Sequence, residues 1–321
     1  MQVIVTNFGA TVMSIKVPDK RGDLQEVTLG FDTLEEYVER KTHMGSIAGR
    51  VANRIAKGRF SLDSTTYTLA CNNGRNHLHG GPNGWGKLPW EVAGHDASSV
   101  LFTYHSPDGD EGYPGTVDVR VTYRVDNENS LVIHIEAHTD APTIINPTNH
   151  CYFNLHRDHT QKILDHMLHI DADAYTPSDA ELIPTGEIAS VVDTPMDFRV
   201  PKPVGRDINA DSEQLKNAGG YDHNWVLNRQ TGTVRKVASL YAESSGIVLD
   251  TNTNQPGVQC YTGNMLGDSE GRGGIRYGAH TGICLETQGF PDAINHPNFP
   301  SIGLRPEETY LHATRYKFGL L

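Results

Sequence analysis

The chain has 321 residues, 37% hydrophobic and 8% aromatic, with a formal net charge of −12. That is enough apolar mass for a packed core and excludes a disordered chain. An acidic chain without a basic run repels phosphate backbones and anionic lipid, which excludes nucleic-acid and membrane partners and favours uncharged substrates.

No apolar run is long enough to span a bilayer. The opening residues, Met1-Gln2-Val3-Ile4-Val5-Thr6-Asn7, lack the charged and apolar blocks of a signal peptide. Cys71, Cys151, Cys260 and Cys284 are widely separated, with no C-x-x-C pair. A reducing, cytoplasmic setting is the expectation.

Strand patterns dominate from the start. Residues 3–5 and 12–17 flank a turn at Gly9, and Leu34, Tyr37 and Val38 have the spacing of a short helix. Residues 59–62 and 66–69 read as a hairpin about Asp63-Ser64. Val117, Val119, Val121, Tyr123 and Val125 alternate, a polar turn follows at 126–129, and Leu131, Ile133 and Ile135 alternate again. Each strand of that pair therefore buries one face, as in an antiparallel meander. Similar segments recur at 100–104, 236–241, 247–251 and 258–261. Without long amphipathic helices or strand–helix alternation, a parallel doubly wound sheet is excluded. The expected architecture is all-β: one large antiparallel β-sandwich over residues 1–321, with few short helices and long loops carrying the polar groups.

Several polar clusters sit on this frame. Gly49-Arg50-Val51-Ala52-Asn53-Arg54-Ile55 offers a donor fork beside an amide, suited to sugar hydroxyls and equally to a surface salt bridge. Asn76-His77-Leu78-His79-Gly80-Gly81 puts two histidines on one face if the segment is extended, next to glycines that admit a close backbone or ligand. His150 lies among amides and aromatics in residues 146–155, and Asp222 beside His223 follows a flexible turn. Residues 256–264 carry Gln259 and Tyr261 on a strand. In residues 282–291, Cys284, Glu286 and Gln288 share one face of a strand and Ile283, Leu285 and Thr287 the other. That first face fits a functional site or the wet side of an amphipathic strand.

Two further matches fail. Gly267-Asp268-Ser269-Glu270-Gly271 fits G-x-S-x-G, but Gly273 and Gly274 stand where a nucleophile elbow needs a helix. The acidic stretch 107–115 lacks the glycine at loop position six and the glutamate at position twelve that an EF-hand requires.

Taken together and in order, residues 49–57, 76–81, 106–115, 146–155, 220–224, 256–264 and 284–295 resemble the aldose 1-epimerase (galactose mutarotase) family over nearly the whole chain. The resemblance implies a galactose mutarotase-like supersandwich that exchanges the α- and β-anomers of free hexoses such as galactose and glucose. No cofactor and no metal is implied. Carried over by position, Glu286 is the expected proton acceptor and His150 the proton donor, with His79 at the ring oxygen. Asn53, Arg54, His79, Tyr152, Asp222 and Gln259 are the expected sugar-binding positions. The family usually has a longer stretch before the segment matching residues 6–11, so a shortened opening strand is expected.

In that chemistry Glu286 is expected to be ionised without help, and His150 to have its pKa raised by a nearby carboxylate. The partner is a small monosaccharide, the chain a monomer or homodimer. A non-catalytic sugar-binding or sensor protein on the same fold would keep Arg54 and Asp222 without needing an acid–base pair. A zinc hydrolase built on His77, His79, Asp222 and His223 is the third reading.

Overall fold

The structure, a computed structural model, describes residues 1–40, 42–228, 232–267 and 269–321. Nine strands form the larger sheet, in the spatial order Lys202–Pro203, Met167–Ile170, Arg235–Tyr241, Ile247–Thr253, Tyr310–Leu320, Ser130–Thr139, Val117–Val125, Ser99–Ser106 and Glu91–His95. Every neighbouring pair is antiparallel. The alternation at 117–125 is realised as expected: Val117, Val119, Val121 and Tyr123 are buried, whereas Asp118, Arg120 and Arg124 are exposed. The hairpin about Asp63-Ser64 joins Arg59–Leu62 to Thr65–Thr68, and both turn residues have positive φ. Gln2–Thr6 is a five-residue edge strand, paired with Thr11–Pro18 around the Gly9 turn.

A second, five-stranded antiparallel sheet runs Ala189–Ser190, Ala174–Thr176, Asp222–Val226, Gly257–Tyr261, Cys284–Gln288. The two sheets share one core. Trp225, Val258, Cys260 and Leu285 pack in the same cluster as Val119, Ile133, Leu249 and Tyr316. The Tyr316 hydroxyl donates to the Leu285 carbonyl at 3.0 Å, and Thr287 Oγ1 meets Thr314 Oγ1 at 2.5 Å. Leu285 and Thr287 thus face the large sheet, and strand geometry turns Cys284, Glu286 and Gln288 the other way. Loops cover that outer face, so all five residues of the strand are buried. The wet-face alternative for Glu286 is thereby excluded.

Helices are short. Leu34–Arg40 begins with a reciprocal cap, the Glu36 N–H donating to Thr33 Oγ1 at 3.3 Å and the Thr33 N–H to Glu36 Oε2 at 3.0 Å. The second helix is Glu213–Ala218. No helix among the described residues is long and apolar enough to cross a membrane.

Two of the tempting motifs turn out structural. Ser269–Glu270 pairs with Arg276–Tyr277 around a turn rather than entering a helix, and Asp268 lies outside the described residues. The acidic 107–115 loop is held by Arg50, whose buried guanidinium donates to the carbonyls of Pro114 (2.9 Å) and Gly115 (2.8 Å) and to Ser106 Oγ (2.6 Å). Asp108 accepts the Gly115 N–H at 2.7 Å. Arg50→Ala strands those buried carbonyls, so it is expected to cost ~3 kcal/mol or more of stability, read as a lowered urea midpoint. An unchanged midpoint would contradict this role.

Candidate active site

Register assembles the site. Antiparallel pairing aligns Asn224, Gln259 and Glu286 in one row and Asp222, Tyr261 and Cys284 in the next. All six point away from the shared core, onto the loop-covered face. Gln259 Nε2 donates to Asp222 Oδ1 at 2.6 Å and fixes that carboxylate. Glu286 Oε2, Gln259 Oε1 and Asn224 Oδ1 are buried and take no hydrogen bond among the described residues.

The segment carrying His150 is laced to this sheet. Asn146 exchanges two hydrogen bonds with Gly289, Thr148 Oγ1 donates to the Thr287 carbonyl, and Phe153 and Ile283 exchange N–H···O bonds. Pairing of Thr148–Asn149 with Ile47–Ala48, and the His150 N–H on the Ser46 carbonyl, fix the backbone of the histidine. Its Nε2 lies 3.6 Å from Glu286 Oε1, with both side chains at most 5% exposed. The Tyr152 ring stacks on the imidazole at a centroid distance of 4.9 Å. Cys284 Sγ is 3.5 Å from His150 Nδ1.

The third wall comes from residues 53–54 and 76–81. Asn53 and His79 both hold positive φ, 60° and 51°, a conformation that costs energy outside glycine. They face each other: the Asn53 N–H donates to His79 Nδ1 at 3.1 Å, and the His79 N–H to the Asn53 carbonyl at 3.0 Å. Because Nδ1 accepts, the neutral His79 ring carries its proton on Nε2 and is a donor there. Gly80 permits the approach: a Cβ on it would lie 1.7 Å from the Gly49 carbonyl oxygen. The Arg54 guanidinium is held by Asn73 (3.2 Å) and Asn53 (3.4 Å) and reaches Asp222 Oδ2 at 4.0 Å. Neither Arg50 nor Arg54 is the surface cation that their motif also allowed; both are buried.

Electrostatics reverses two expectations. Burial, with the Asp222 charge nearby, pushes Glu286 well above the ordinary carboxylate range, and Arg54 offsets this in part. Burial brings His150 down to about 4, against the expected rise, and a backbone hydrogen bond offsets the desolvation only in part. Burial also raises Asp222 and, with His43 and His150 close by, holds His79 well below the usual histidine value.

All eight expected residues therefore meet in one place: His150, Glu286, His79, Asn53, Arg54, Tyr152, Asp222 and Gln259. The zinc set does not. The His77 Nδ1–H donates to the Ala70 carbonyl and its Nε2 accepts from the Tyr113 hydroxyl, so both nitrogens are engaged away from the site. The turn at His79 breaks the extended geometry that would have put the two histidines on one face. His223 alternates with Asp222 and lies on the opposite face, next to Trp225. Among the described residues, the groups that could hold a cation are His150, Cys284, Glu286 and His156, Asp165, His166. In the second group the imidazole nitrogens are already engaged with Asp165, Ser244 and the Leu155 N–H. A groove of about 730 Å³ bordered by Met1, Val3, Val5, Tyr123 and Leu131 lies apart from the site and brings no acid–base pair together.

Sequence reasoning did not single out His43, whose ring also reaches the site, or Asn73, which holds Arg54; neither sits in a patterned segment.

The family model for aldose 1-epimerase matches residues 1–317. The chain is 44% identical over 321 residues to galactose mutarotase of Bos taurus, covering 100% of this chain and 92% of that protein. It is 37% identical over 320 residues to aldose 1-epimerase of Escherichia coli (strain K12), covering 99% and 92%. The crystal structure of a GalM/aldose epimerase homologue from C. elegans superposes with a TM-score of 0.92 at 35% identity, over 99% of this chain and 95% of that one. By sequence over its full length and by fold, this chain belongs to the aldose 1-epimerase family.

Proposed function

We propose that this chain is an aldose 1-epimerase, an isomerase that interconverts the α- and β-anomers of free hexoses such as galactose and glucose. Anomer exchange takes a proton from the C1 hydroxyl and gives one to the ring oxygen. The bond from C1 to the ring oxygen opens to an aldehyde, C1–C2 rotates, and the ring recloses on the other carbonyl face. Both oxygens are bonded to the same carbon, so their base and acid must be neighbours. The observation that carries the reading is the buried pair of Glu286 Oε1 and His150 Nε2, 3.6 Å apart.

Burial sets the protonation state in which the pair rests. The pair shares one proton: Glu286 is pushed up and His150 down, so the neutral acid and neutral imidazole are favoured together. The reactive arrangement is the charged one, carboxylate and imidazolium. When Glu286 takes the C1 hydroxyl proton and His150 protonates the ring oxygen, both groups become neutral, the state a dry site prefers. Reclosure reverses both transfers, so the protein is unchanged after each turnover.

The remaining groups orient the sugar. His79 stays neutral and donates from Nε2 on the ring-oxygen side. Asp222, held by Gln259 and Arg54, accepts hydroxyl protons, and Asn53 adds an amide. Tyr152 offers an aromatic face to the apolar C–H side of the ring. Two carboxylates against one guanidinium disfavour a phosphate dianion. A cytosolic setting fits the free thiols of all four cysteines. We take residues 1–321 as one domain acting as a monomer or homodimer.

A polarimetric panel of galactose, glucose, xylose and glucose 6-phosphate tests the reading. Acceleration with the free sugars and little with the phosphate is expected. Sugar binding without any acceleration would establish a sensor instead.

A further inference from the structure

Three imidazoles meet at this site, and the chemistry above uses two. His43, just after the helix Leu34–Arg40, is half-buried, with its ring centroid 4.6 Å from that of His79 and 6.0 Å from that of His150. Its plane lies within 26° of the His150 plane, which in turn lies within 24° of Tyr152. The three rings stand as near-parallel plates, with His79 set across them at 72° to His150.

Hydrogen bonding separates His43 from its neighbours. His79 is tied through Nδ1 to Asn53, and His150 faces Glu286. Neither ring nitrogen of His43 makes a hydrogen bond among the described residues, and its Nδ1 is sealed from solvent without a partner. A neutral imidazole has one N–H and one lone pair to satisfy. Burial, with His150 beside it, brings His43 down to about 3, so the ring is neutral. With Nδ1 walled in, Nε2 is the nitrogen left for a group arriving from outside, on a ring already against two site imidazoles.

We propose that His43 is a further substrate-binding residue, its Nε2 hydrogen-bonded to a hydroxyl of the bound aldohexose other than the one on C1. This rests on the epimerase reading of the site. The hydroxyl-bearing face of a pyranose offers both donors and acceptors, so either tautomer of His43 is served. The bond does not involve the reacting oxygens and contributes equally to ground state and transition state. It therefore belongs in KM rather than kcat.

His43→Phe keeps the stacked ring and removes the nitrogens. Its KM for galactose is expected to rise about tenfold, the worth of one hydrogen bond between neutral groups, with kcat changing far less. A series of 2-, 3-, 4- and 6-deoxygalactose then locates the partner. One of these sugars is expected to lose no further affinity on His43→Phe, because its missing hydroxyl is the one His43 holds. His43→Asn, which restores a polar group, is expected to recover part of the loss and carries the same comparison if the Phe variant does not fold. A wild-type KM in His43→Phe, or an equal rise for galactose and all four deoxy sugars, would overturn the proposal and leave a stacking role alone. Failure of the wild-type protein to accelerate mutarotation at all would instead remove the epimerase reading.

Discussion

Glu286→Gln is expected to lower mutarotation turnover by roughly a hundredfold or more and, at neutral pH, to raise the melting temperature. The first effect is the usual worth of a group that takes a proton in the transition state. The second follows from the position of the carboxyl, 2% exposed with Oε2 unpartnered among the described residues. Its pKa in the folded protein lies well above the ordinary 4.5. A carboxyl of this kind supports the fold fully below its unfolded pKa and loses that contribution as pH rises through the folded value. At pH 7 the wild-type chain must either hold a proton that the unfolded chain has released or ionise a buried acid, and the amide does neither. The gap in melting temperature between variant and wild type is expected to widen between pH 5 and pH 8 and to close in acid. Polarimetry and thermal melts on the same samples check both halves. Undiminished turnover, or an amide variant that melts lower at neutral pH, would contradict the role given to this carboxyl.

His150→Asn is the second large effect, again roughly a hundredfold or more in turnover. The variant keeps a polar side chain of smaller size beside Tyr152 and His79, so the loss reports the proton more than the packing. The pH profile of the wild-type protein carries the same information without a mutation. Work requires one proton on the pair, and the pair takes a second only when His150 is protonated over a protonated Glu286. With His150 brought down to about 4, activity is expected to hold through pH 6.5, where an ordinary imidazole titrates, and to fall near 4. An acid limb near 6.5 would mean that water screens the pair and that burial does not set its chemistry.

Much of this site was readable in one dimension, and particular residues show where that ended. Two-residue alternation in 283–288 named the face that carries Cys284, Glu286 and Gln288. It was silent on whether that face is wet, because the loops that cover it come from residues 45–54, 76–81 and 146–152. Desolvation is a property of that enclosure, which is why the expected protonation of Glu286 and His150 came out with the wrong sign. Arg50 and Arg54 are neighbours in one motif with different fates: one stitches the 106–115 loop, the other reaches Asp222. His77 and His79 part company because the chain turns through positive φ at His79. His43 lies outside every patterned segment and comes to the site only through the path of the chain after the first helix.

The most direct test is the optical rotation of freshly dissolved α-galactose followed with the purified wild-type chain. An approach to equilibrium faster than in buffer is expected, in proportion to protein added, and ending at the same final rotation because anomer ratios belong to the sugar. A time course indistinguishable from buffer at every protein concentration would contradict the epimerase reading.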